Sequence, residues 1–202
     1  MYRRNALRLY KQKRKQMKTN LLPAIKLTLI CMVFFMGIYT LLIYGIAQFA
    51  PNNGKGFIIE SKGKKYYENI AQKFTDDKYF WSRPSAVDYN AASSGASNKG
   101  PSNPDYLQTV QDRIDTFIVH NPTVKKAEIP SDIVTASGSG EDPNISVQAA
   151  KIQVSRIAKI RNLSETTLLS LIEQNTEKPL FGLFGPEKIN VLKLNLALDN
   201  LK

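Results

Sequence analysis

The pattern of apolar and polar positions divides the chain into an apolar segment near the N-terminus and a mixed segment after it. Residues 27–50 form a run of 24 uncharged, mostly apolar residues. At about 1.5 Å per residue, a helix of this length covers about 36 Å and can cross a bilayer with some tilt. A cleaved signal peptide has a shorter apolar core, roughly 7 to 15 residues, and small residues before the cut. The pattern therefore predicts a permanent transmembrane helix, which we assign to residues 21–50.

After residue 50 the pattern predicts short, mixed elements. Phe57-Ile58-Ile59 and Tyr66-Tyr67 are β-prone pieces on either side of a turn, and they predict a hairpin. Asn103 followed by Pro104 is typical of a helix start. Five apolar residues then recur at helical spacing and predict a core-facing side, namely Leu107, Val110, Ile114, Phe117 and Ile118.

The remaining pattern predicts one strand and three helices. Residues 129–135 are typical of a short buried strand, and residues 147–161 and 165–175 of two helices with Ser146 and Ser164 as N-caps. Residues 190–201 allow a strand by their alternating leucines, but a helix capped by Asn190 is favoured. The predicted fold is one N-terminal transmembrane helix followed by an α+β extracytoplasmic domain over residues 51–202.

The charge distribution sets the predicted topology. The formal net charge is +11, yet nine of the 28 Lys and Arg residues lie within residues 1–26, which contain no acidic residue. Basic residues beside a span stay cytoplasmic, so residues 1–20 form a cytoplasmic tail and the domain lies outside the cell membrane. The remaining chain is nearly neutral, which argues against nucleic-acid binding and leaves the lipid bilayer as a partner.

The scarcity of Cys and His restricts the chemistry. Cys31, the single cysteine, lies inside the apolar run and His120 is the single histidine, so a His/Cys zinc site and an intramolecular disulfide are excluded. His120 precedes Asn121-Pro122, where a helix is expected to end, and no G-x-S-x-G is present. We therefore predict no catalytic residue. We also predict no metal site, because the carboxylates of Asp132, Glu141 and Asp142 do not match a calcium-loop spacing.

Residues 82–105 form the most unusual segment of the chain. Gly, Ala, Ser, Asn and Pro account for 18 of its 24 residues, which is the composition of a linker. Aromatic and basic residues interrupt it, and binding energy at interfaces concentrates in Trp, Tyr and Arg. We predict an ordered partner interface, with internal packing and a plain linker as the alternatives. The predicted interface residues are Trp81, Arg83, Pro84, Ser85, Tyr89, Asn90, Ser102 and Asn103.

Residues 136–143 resemble a phosphate-binding loop in composition only. The segment lacks the Gly-Lys-Ser/Thr of a P-loop, and no G-x-G-x-x-G exists in the chain. The alternative is a turn whose glycines allow positive φ and whose polar side chains bind local backbone donors. The candidate residues of this loop site are Ser137, Gly138, Ser139, Gly140 and Asp142.

Four stretches of sequence, in this order along the chain, resemble the KdpC subunit family of the potassium-transporting Kdp ATPase. They are residues 81–86, 93–104, 134–140 and 190–199, and the similarity starts near Met17. Residues 1–16 are then an extension, and Met1 and Met17 are both candidate translation starts. The chain departs from the family pattern at Asn144, where the family has His, and at Ser155, where it has Pro; a third departure, at Ala71, is described below.

The resemblance implies a non-catalytic accessory subunit of a high-affinity, ATP-driven potassium uptake complex. Its expected partners are a channel-like potassium-translocating subunit and a P-type ATPase subunit, which handle the potassium and the ATP, so no cofactor is expected on this chain. The family is described as a catalytic chaperone that raises ATP affinity, and Gln72 lies in a stretch compared with an ATP-binding signature. The Gly of that stretch is replaced in this chain by Ala71. The predicted location of the domain outside the cell also disfavours direct contact with ATP. The alternative functions are a membrane-anchored extracellular solute-binding module and, less favoured, an anchored hydrolase.

Overall fold

The computed structural model describes the backbone of residues 2–201 and the side chains of Lys11 and residues 18–201. The chain forms two compact units that are divided after Gly56. The first unit is helical, and the second unit contains the sheets and the hydrophobic core.

The first unit is dominated by one long helical segment. It consists of α1 (Tyr2–Met32), a π-helical stretch (Val33–Tyr39) and α2 (Thr40–Ala47). Its Lys18–Ala47 portion has 30 residues and contains an 18-residue window with a mean hydropathy of 2.3, and the side chains of this window are exposed rather than packed within the chain. This length and composition suffice to cross a membrane, which confirms the predicted N-terminal apolar helix.

The second unit starts with the predicted hairpin. Strands β1 (Ile58–Ser61) and β2 (Lys64–Tyr67) pair antiparallel, with Ser61 opposite Lys64. The two turn residues between them, Lys62 and Gly63, both have positive φ, at 50° and 75°. This is the backbone of a two-residue turn whose twist matches that of the strands.

Five helices and a small sheet complete the unit. The helices are α3 (Pro104–His120), α4 (Val147–Lys151), α5 (Val154–Arg161), α6 (Glu165–Gln174) and α7 (Val191–Asp199). The strands β3 (Asn144–Ile145), β4 (Thr176–Glu177) and β5 (Lys188–Asn190) form an antiparallel sheet in the order β3-β5-β4. The predicted N-caps are confirmed, because four side chains accept a hydrogen bond from the backbone N–H three residues on: Asn103, Ser146, Ser164 and Asn190.

The core lies between the helices and the small sheet. Its fully buried side chains include Phe80, Phe117, Ile157, Leu168, Ile189, Leu194 and Leu198. Helix α3 contributes through its C-terminal half, where Phe117 is 2% exposed, while Val110 and Ile114 are partly buried. The prediction for Leu107 is wrong, because the first turns of α3 extend past the core and leave this side chain 52% exposed.

Two predicted elements differ from the structure. Residues 129–135 are not a strand: Pro130 offers no N–H for a ladder, and a 3₁₀ turn follows at Ser131–Ile133. The helix predicted over 147–161 is interrupted between α4 and α5. There the side chain of Gln153 donates to the Ala149 carbonyl at 2.9 Å, and its backbone leaves regular helical geometry at ψ −8°.

Candidate functional site: the segment 81–105 and its cleft

Buried amide side chains hold the start of the segment. Phe80 is fully buried, and its N–H and C=O are bound by Oδ1 and Nδ2 of Asn195, both at 2.9 Å. The backbone N–H of Trp81 donates to Oε1 of Gln153 at 2.8 Å. The hydroxyl of Ser82 donates to the Gln72 carbonyl at 2.6 Å. This part of the chain is irregular and has no neighbouring strand, so these contacts supply the hydrogen bonds that its backbone N–H and C=O groups need.

The indole of Trp81 lies in an aromatic and cationic cluster. Its ring centroid is 6.1 Å from that of Phe117 and 4.9 Å from that of His120, both edge-on. The guanidinium of Arg156 lies 4.5 Å from the indole centroid. Edge-to-face rings and a cation over an indole are both favourable geometries, so this side chain is held in one orientation.

Arg156 is a buried cation with several partners. Its side chain is 4% exposed and donates to the Tyr79 carbonyl at 2.9 Å, to Gln153 Oε1 at 2.7 Å and to Asp77 Oδ1 at 3.3 Å. Asp77 also lies 2.9 Å from Nδ1 of His120. Burial lowers the pKa of Arg156 to about 10, so the guanidinium stays charged at neutral pH. His120 is therefore paired with a carboxylate that also neutralises the buried arginine.

Tyr89 forms a hydrogen bond within the segment, and Arg83 binds the loop at residues 137–142. Arg83 Nη1 donates to Asp142 Oδ2 at 2.7 Å, and Nη2 lies 3.4 Å from the Thr135 carbonyl. The Tyr89 hydroxyl donates to the Arg83 carbonyl at 2.7 Å, and burial raises the pKa of Tyr89 to about 12. Ser85 Oγ accepts from the Tyr89 N–H at 2.9 Å. The segment is thus internally hydrogen-bonded, unlike a linker.

The Gly/Ser loop packs directly against the segment. The N–H of Gly95 donates to the Ser139 carbonyl at 2.9 Å. Gly140 has φ +71°, and a Cβ there would lie 2.8 Å from the Gly95 carbonyl oxygen and 2.8 Å from Val87 Cγ2. Within the loop, Ser139 Oγ accepts from the Glu141 N–H at 3.1 Å. These contacts are those of a packed turn, because its polar side chains bind local backbone donors.

A cleft of about 440 Å³ opens between the segment and α3. Trp81, Tyr89 and Phe117 provide aromatic walls, and Arg113 and His120 lie at polar positions in the lining. Arg113 is held by a hydrogen bond from Nη1 to the Val134 carbonyl at 3.1 Å. The cleft is concave, with several aromatic rings in its walls and the charged Asp112 and Arg113 in its lining, which suits an aromatic or apolar side chain of a partner.

The structure gives the predicted interface residues two different environments. Asn90 and Ser102 are exposed, and Pro84 lines the cleft. The other predicted interface side chains are engaged inside the domain, with Asn103 capping α3: Trp81, Arg83, Ser85, Tyr89 and Asn103. Contact with a partner stays a prediction for all of them.

The residues proposed for nucleotide or cation binding are scattered. Gln72 Nε2 donates to the Ile70 carbonyl at 3.3 Å, and its side chain lines a second cleft beside Lys62 and Asp199. Asp132 accepts from the Ser146 N–H at 2.6 Å, and Asp142 is paired with Arg83. Within residues 2–201 no group of three or more His, Cys, Asp or Glu is arranged to hold a metal ion.

Sequence reasoning missed the side chains that position the segment. Gln153, Arg156 and Asn195 lie far from it in sequence, Asp77 lies four residues before Trp81, and no role was predicted for any of them. A signal exists for Asn195, a polar residue between the buried Leu194 and Leu198 of an otherwise apolar helix face. Buried polar side chains need partners, so such a position indicates an internal structural contact.

An apolar helix of membrane-spanning length followed by one α+β unit defines a membrane-anchored, single-pass protein with one folded domain. The family model KdpC, described as "K+-transporting ATPase, c chain", matches residues 21–200, and the chain belongs to this family.

Curated relatives carry the same description over nearly their whole length. The chain is 57% identical over 184 residues to the potassium-transporting ATPase KdpC subunit of Flavobacterium psychrophilum, covering 91% of this chain and 99% of the relative. It is 49% identical over 190 residues to the KdpC subunit of Bacteroides thetaiotaomicron, covering 92% and 100%. It is 48% identical over 176 residues to that of Caldanaerobacter subterraneus, covering 86% and 91%. The chain thus has the role of an accessory subunit in potassium transport.

Proposed function

We propose that the chain is a non-catalytic subunit of a high-affinity, ATP-driven potassium uptake complex. In this proposal its domain stabilises the assembly of a channel-like potassium-translocating subunit with a P-type ATPase subunit. The description of its relatives as potassium-transporting ATPase subunits supports a place in such a complex. The observation that carries the proposal is the internally hydrogen-bonded start of the segment 81–105 beside a cleft with aromatic walls.

The partner-binding surface of this proposal is the cleft between the segment and α3. Asn195 and Gln153 bind the backbone at the N-terminal end of the segment and Asp142 binds Arg83, so this end loses little chain entropy when a partner binds. Trp81 and Tyr89 line the cleft and are the residue types in which interface energy concentrates. A partner side chain inserted there would be enclosed by aromatic rings.

The proposed topology determines how the chain affects ATP use. Nine basic residues precede the uncharged run that starts at Leu27, so in this proposal the domain is extracytoplasmic and the N-terminus is in the cytoplasm. ATP is then on the other side of the membrane from the domain. The increase in ATP affinity described for the family would accordingly act through contacts with the pump subunit, not through Gln72.

A bulky substitution in the cleft tests the proposed docking surface. Thr116 is exposed and lines the cleft, and its hydroxyl donates only within α3, to the Asp112 carbonyl at 2.8 Å. We expect Thr116→Trp to block the cleft without disturbing the core. Affinity for the other subunits should fall by about tenfold or more, which is ~1.4 kcal/mol. The measurements are co-purification in detergent and potassium-stimulated ATP hydrolysis by the complex.

The matched control is Ser170→Trp. Ser170 is exposed on α6, and its hydroxyl accepts only from Gln174 within that helix. This variant should assemble like the unmodified chain. If Thr116→Trp also assembles normally, the cleft is not the docking surface.

The cleft also supports a second candidate, a membrane-anchored extracellular solute-binding module. Its volume of about 440 Å³ lies in the range of small-molecule sites. Trp81 is the single tryptophan of the chain and lines the cleft, so its fluorescence reports occupancy. Titration of the full chain in detergent with aromatic carboxylates should give no saturable change if the accessory function is correct. A saturable change would favour the solute-binding module.

A further inference from the structure

The cleft between the segment and α3 uses most of its hydrogen-bond donors inside the domain. Four of the five hydroxyls in its lining donate to backbone carbonyl oxygens at 2.6 to 2.8 Å: Ser82 to Gln72, Tyr89 to Arg83, Thr109 to Asp105 and Thr116 to Asp112. The indole N–H of Trp81 donates to the Asp76 carbonyl at 3.3 Å. A hydroxyl whose proton is bound internally offers a ligand only its lone pairs, so these hydroxyls present acceptors to the cleft.

His120 adds a further acceptor to this lining. Its ring lines the cleft, while its Nδ1 lies 2.9 Å from both carboxylate oxygens of Asp77. A carboxylate only accepts, so the hydrogen of the neutral imidazole lies on Nδ1 and Nε2 carries a lone pair. Nε2 has no hydrogen-bond partner among the described residues, and it is not enclosed in the core. Asp77 thus leaves Nε2 as an open acceptor.

The charged groups around His120 come from three elements. Asp77 precedes the segment and faces Nδ1, and Arg156 of α5 lies 3.3 Å from the same carboxylate. On α3 itself, Asp112 and Arg113 lie about two turns before His120. The two guanidiniums bind the Asp77 carboxylate and a backbone carbonyl, so within the described residues neither donates to Nε2.

This lining selects the chemistry of an occupant. The rings of Trp81 and Phe117 suit an aromatic ring, and the row of acceptors suits an O–H or N–H group. The donors that remain among the described lining residues are the Thr75 hydroxyl and the other N–H groups of Arg113, whose charge disfavours a cationic occupant. Tyrosine and tryptophan carry both a ring and one donor, and they are enriched in protein interfaces.

We propose that the cleft takes a tyrosine or tryptophan side chain of a partner subunit, whose O–H or N–H donates to Nε2 of His120. This proposal rests on the proposed function and adds the chemistry of the docked side chain. Imidazole side chains change charge between pH 5 and 8. Protonation turns Nε2 from an acceptor into a donor, so docking weakens in acid.

Two substitutions separate the two nitrogens of His120. His120→Asn places an amide N–H near the position of Nδ1, which keeps the bond to Asp77 and removes the acceptor from the cleft. His120→Gln extends an amide to the position of Nε2 and keeps an acceptor there. Affinity of each full-length variant for the other subunits is measured in detergent at about pH 8. His120→Asn should bind about fivefold more weakly, the loss of one net hydrogen bond, and His120→Gln should recover most of this loss.

The same measurement at about pH 5.5 tests the role of the proton. His120 is the single histidine of the chain, so comparison of the unmodified chain with His120→Asn isolates the effect of the imidazole. The advantage of the unmodified chain should disappear at the lower pH. Urea unfolding of the full chains should give the same midpoint for both at about pH 8, which separates docking from stability.

The outcomes distinguish this proposal from the proposed function. If Thr116→Trp weakens assembly but His120→Asn binds like the unmodified chain at both pH values, the proposal is wrong and the proposed function stands. Equal losses in His120→Asn and His120→Gln would indicate a structural role for His120 and overturn the proposal. A larger loss in Asp112→Asn than in His120→Asn would also overturn it, because the docked side chain would then be a cation.

Discussion

At the scale of single residues, two buried amides determine where the candidate interface begins. Asn195 binds the N–H and the C=O of Phe80, as a neighbouring strand would. Gln153 is fully buried and accepts from both the Trp81 N–H and Arg156. A carboxamide carries a donor and an acceptor on one side chain, so it can satisfy irregular backbone deep in a core.

Replacing Gln153 by Leu should destabilise the domain strongly. The change keeps the approximate volume but leaves the Trp81 N–H, the Ala149 carbonyl and the buried Arg156 with unmet hydrogen bonds. We expect a loss of about 3 kcal/mol in the free energy of unfolding, since each stranded buried group costs about 1 to 3 kcal/mol. Urea unfolding of the full chain in detergent, followed by Trp81 fluorescence, measures it.

The control for this substitution is Gln148→Leu, at an exposed position of α4. A surface change of this kind should stay within about 0.5 kcal/mol. Equal unfolding midpoints for the two variants would contradict the positioning role of Gln153.

At the scale of elements, the sequence predicts features that depend on neighbouring residues, such as helix caps, but not contacts between segments that are distant in sequence. The caps at Asn103 and Asn190 were predictable, because each depends on contacts within one turn. The strand predicted over residues 129–135 was wrong, since apolar composition does not distinguish a strand from a buried turn. The segment 82–105 and the Gly/Ser loop were both recognised, but their contact through Gly95 and Ser139 has no local signature.

Asp199 joins three elements at the end of α7. It accepts from Arg161 of α5 at 2.8 Å, from Lys62 of the hairpin turn at 3.0 Å and from the Tyr79 hydroxyl at 3.1 Å. Burial alone would raise the pKa of this carboxyl, but the three donors together hold it below its ordinary value of 3.8. The stabilisation is therefore fully present above that ordinary value and is lost as the pH falls through the lower, folded value.

Asp199→Asn should weaken the domain at neutral pH and remove part of its sensitivity to acid. We expect a loss of about 1.5 to 3 kcal/mol, the range for hydrogen bonds to a charged group. The stability difference from the unmodified chain should shrink as the pH falls below about 4. Unfolding midpoints measured across this pH range test both statements. A difference that does not change with pH would contradict the assignment.

Asp88→Asn is the matched control for this comparison. Asp88 pairs with Lys73 at 2.6 Å, but its side chain is 78% exposed. Solvent screens such a pair, so the change should cost no more than about 1 kcal/mol at any pH.

At the scale of the whole molecule, the chain combines a basic N-terminal segment, an apolar helix and a nearly neutral α+β unit. Family membership places it in the potassium-transporting ATPase, and the side of the membrane on which the domain lies decides which partner surfaces it can reach. A domain outside the cell can contact only the outer face of the other subunits. A domain inside could contact the nucleotide-binding part of the pump directly.

Topology is therefore the prediction with the largest consequence for mechanism. Nine basic residues precede the uncharged run that starts at Leu27, and none occurs between Leu27 and Gly54, so the N-terminus should stay in the cytoplasm. In a Cys31→Ser chain, a cysteine at the exposed Ser93 should react with a membrane-impermeant maleimide in intact spheroplasts. A cysteine at Lys11, in the basic tail, should react only after permeabilisation. The reverse pattern would place the domain in the cytoplasm and make direct ATP contact through Gln72 the hypothesis to test.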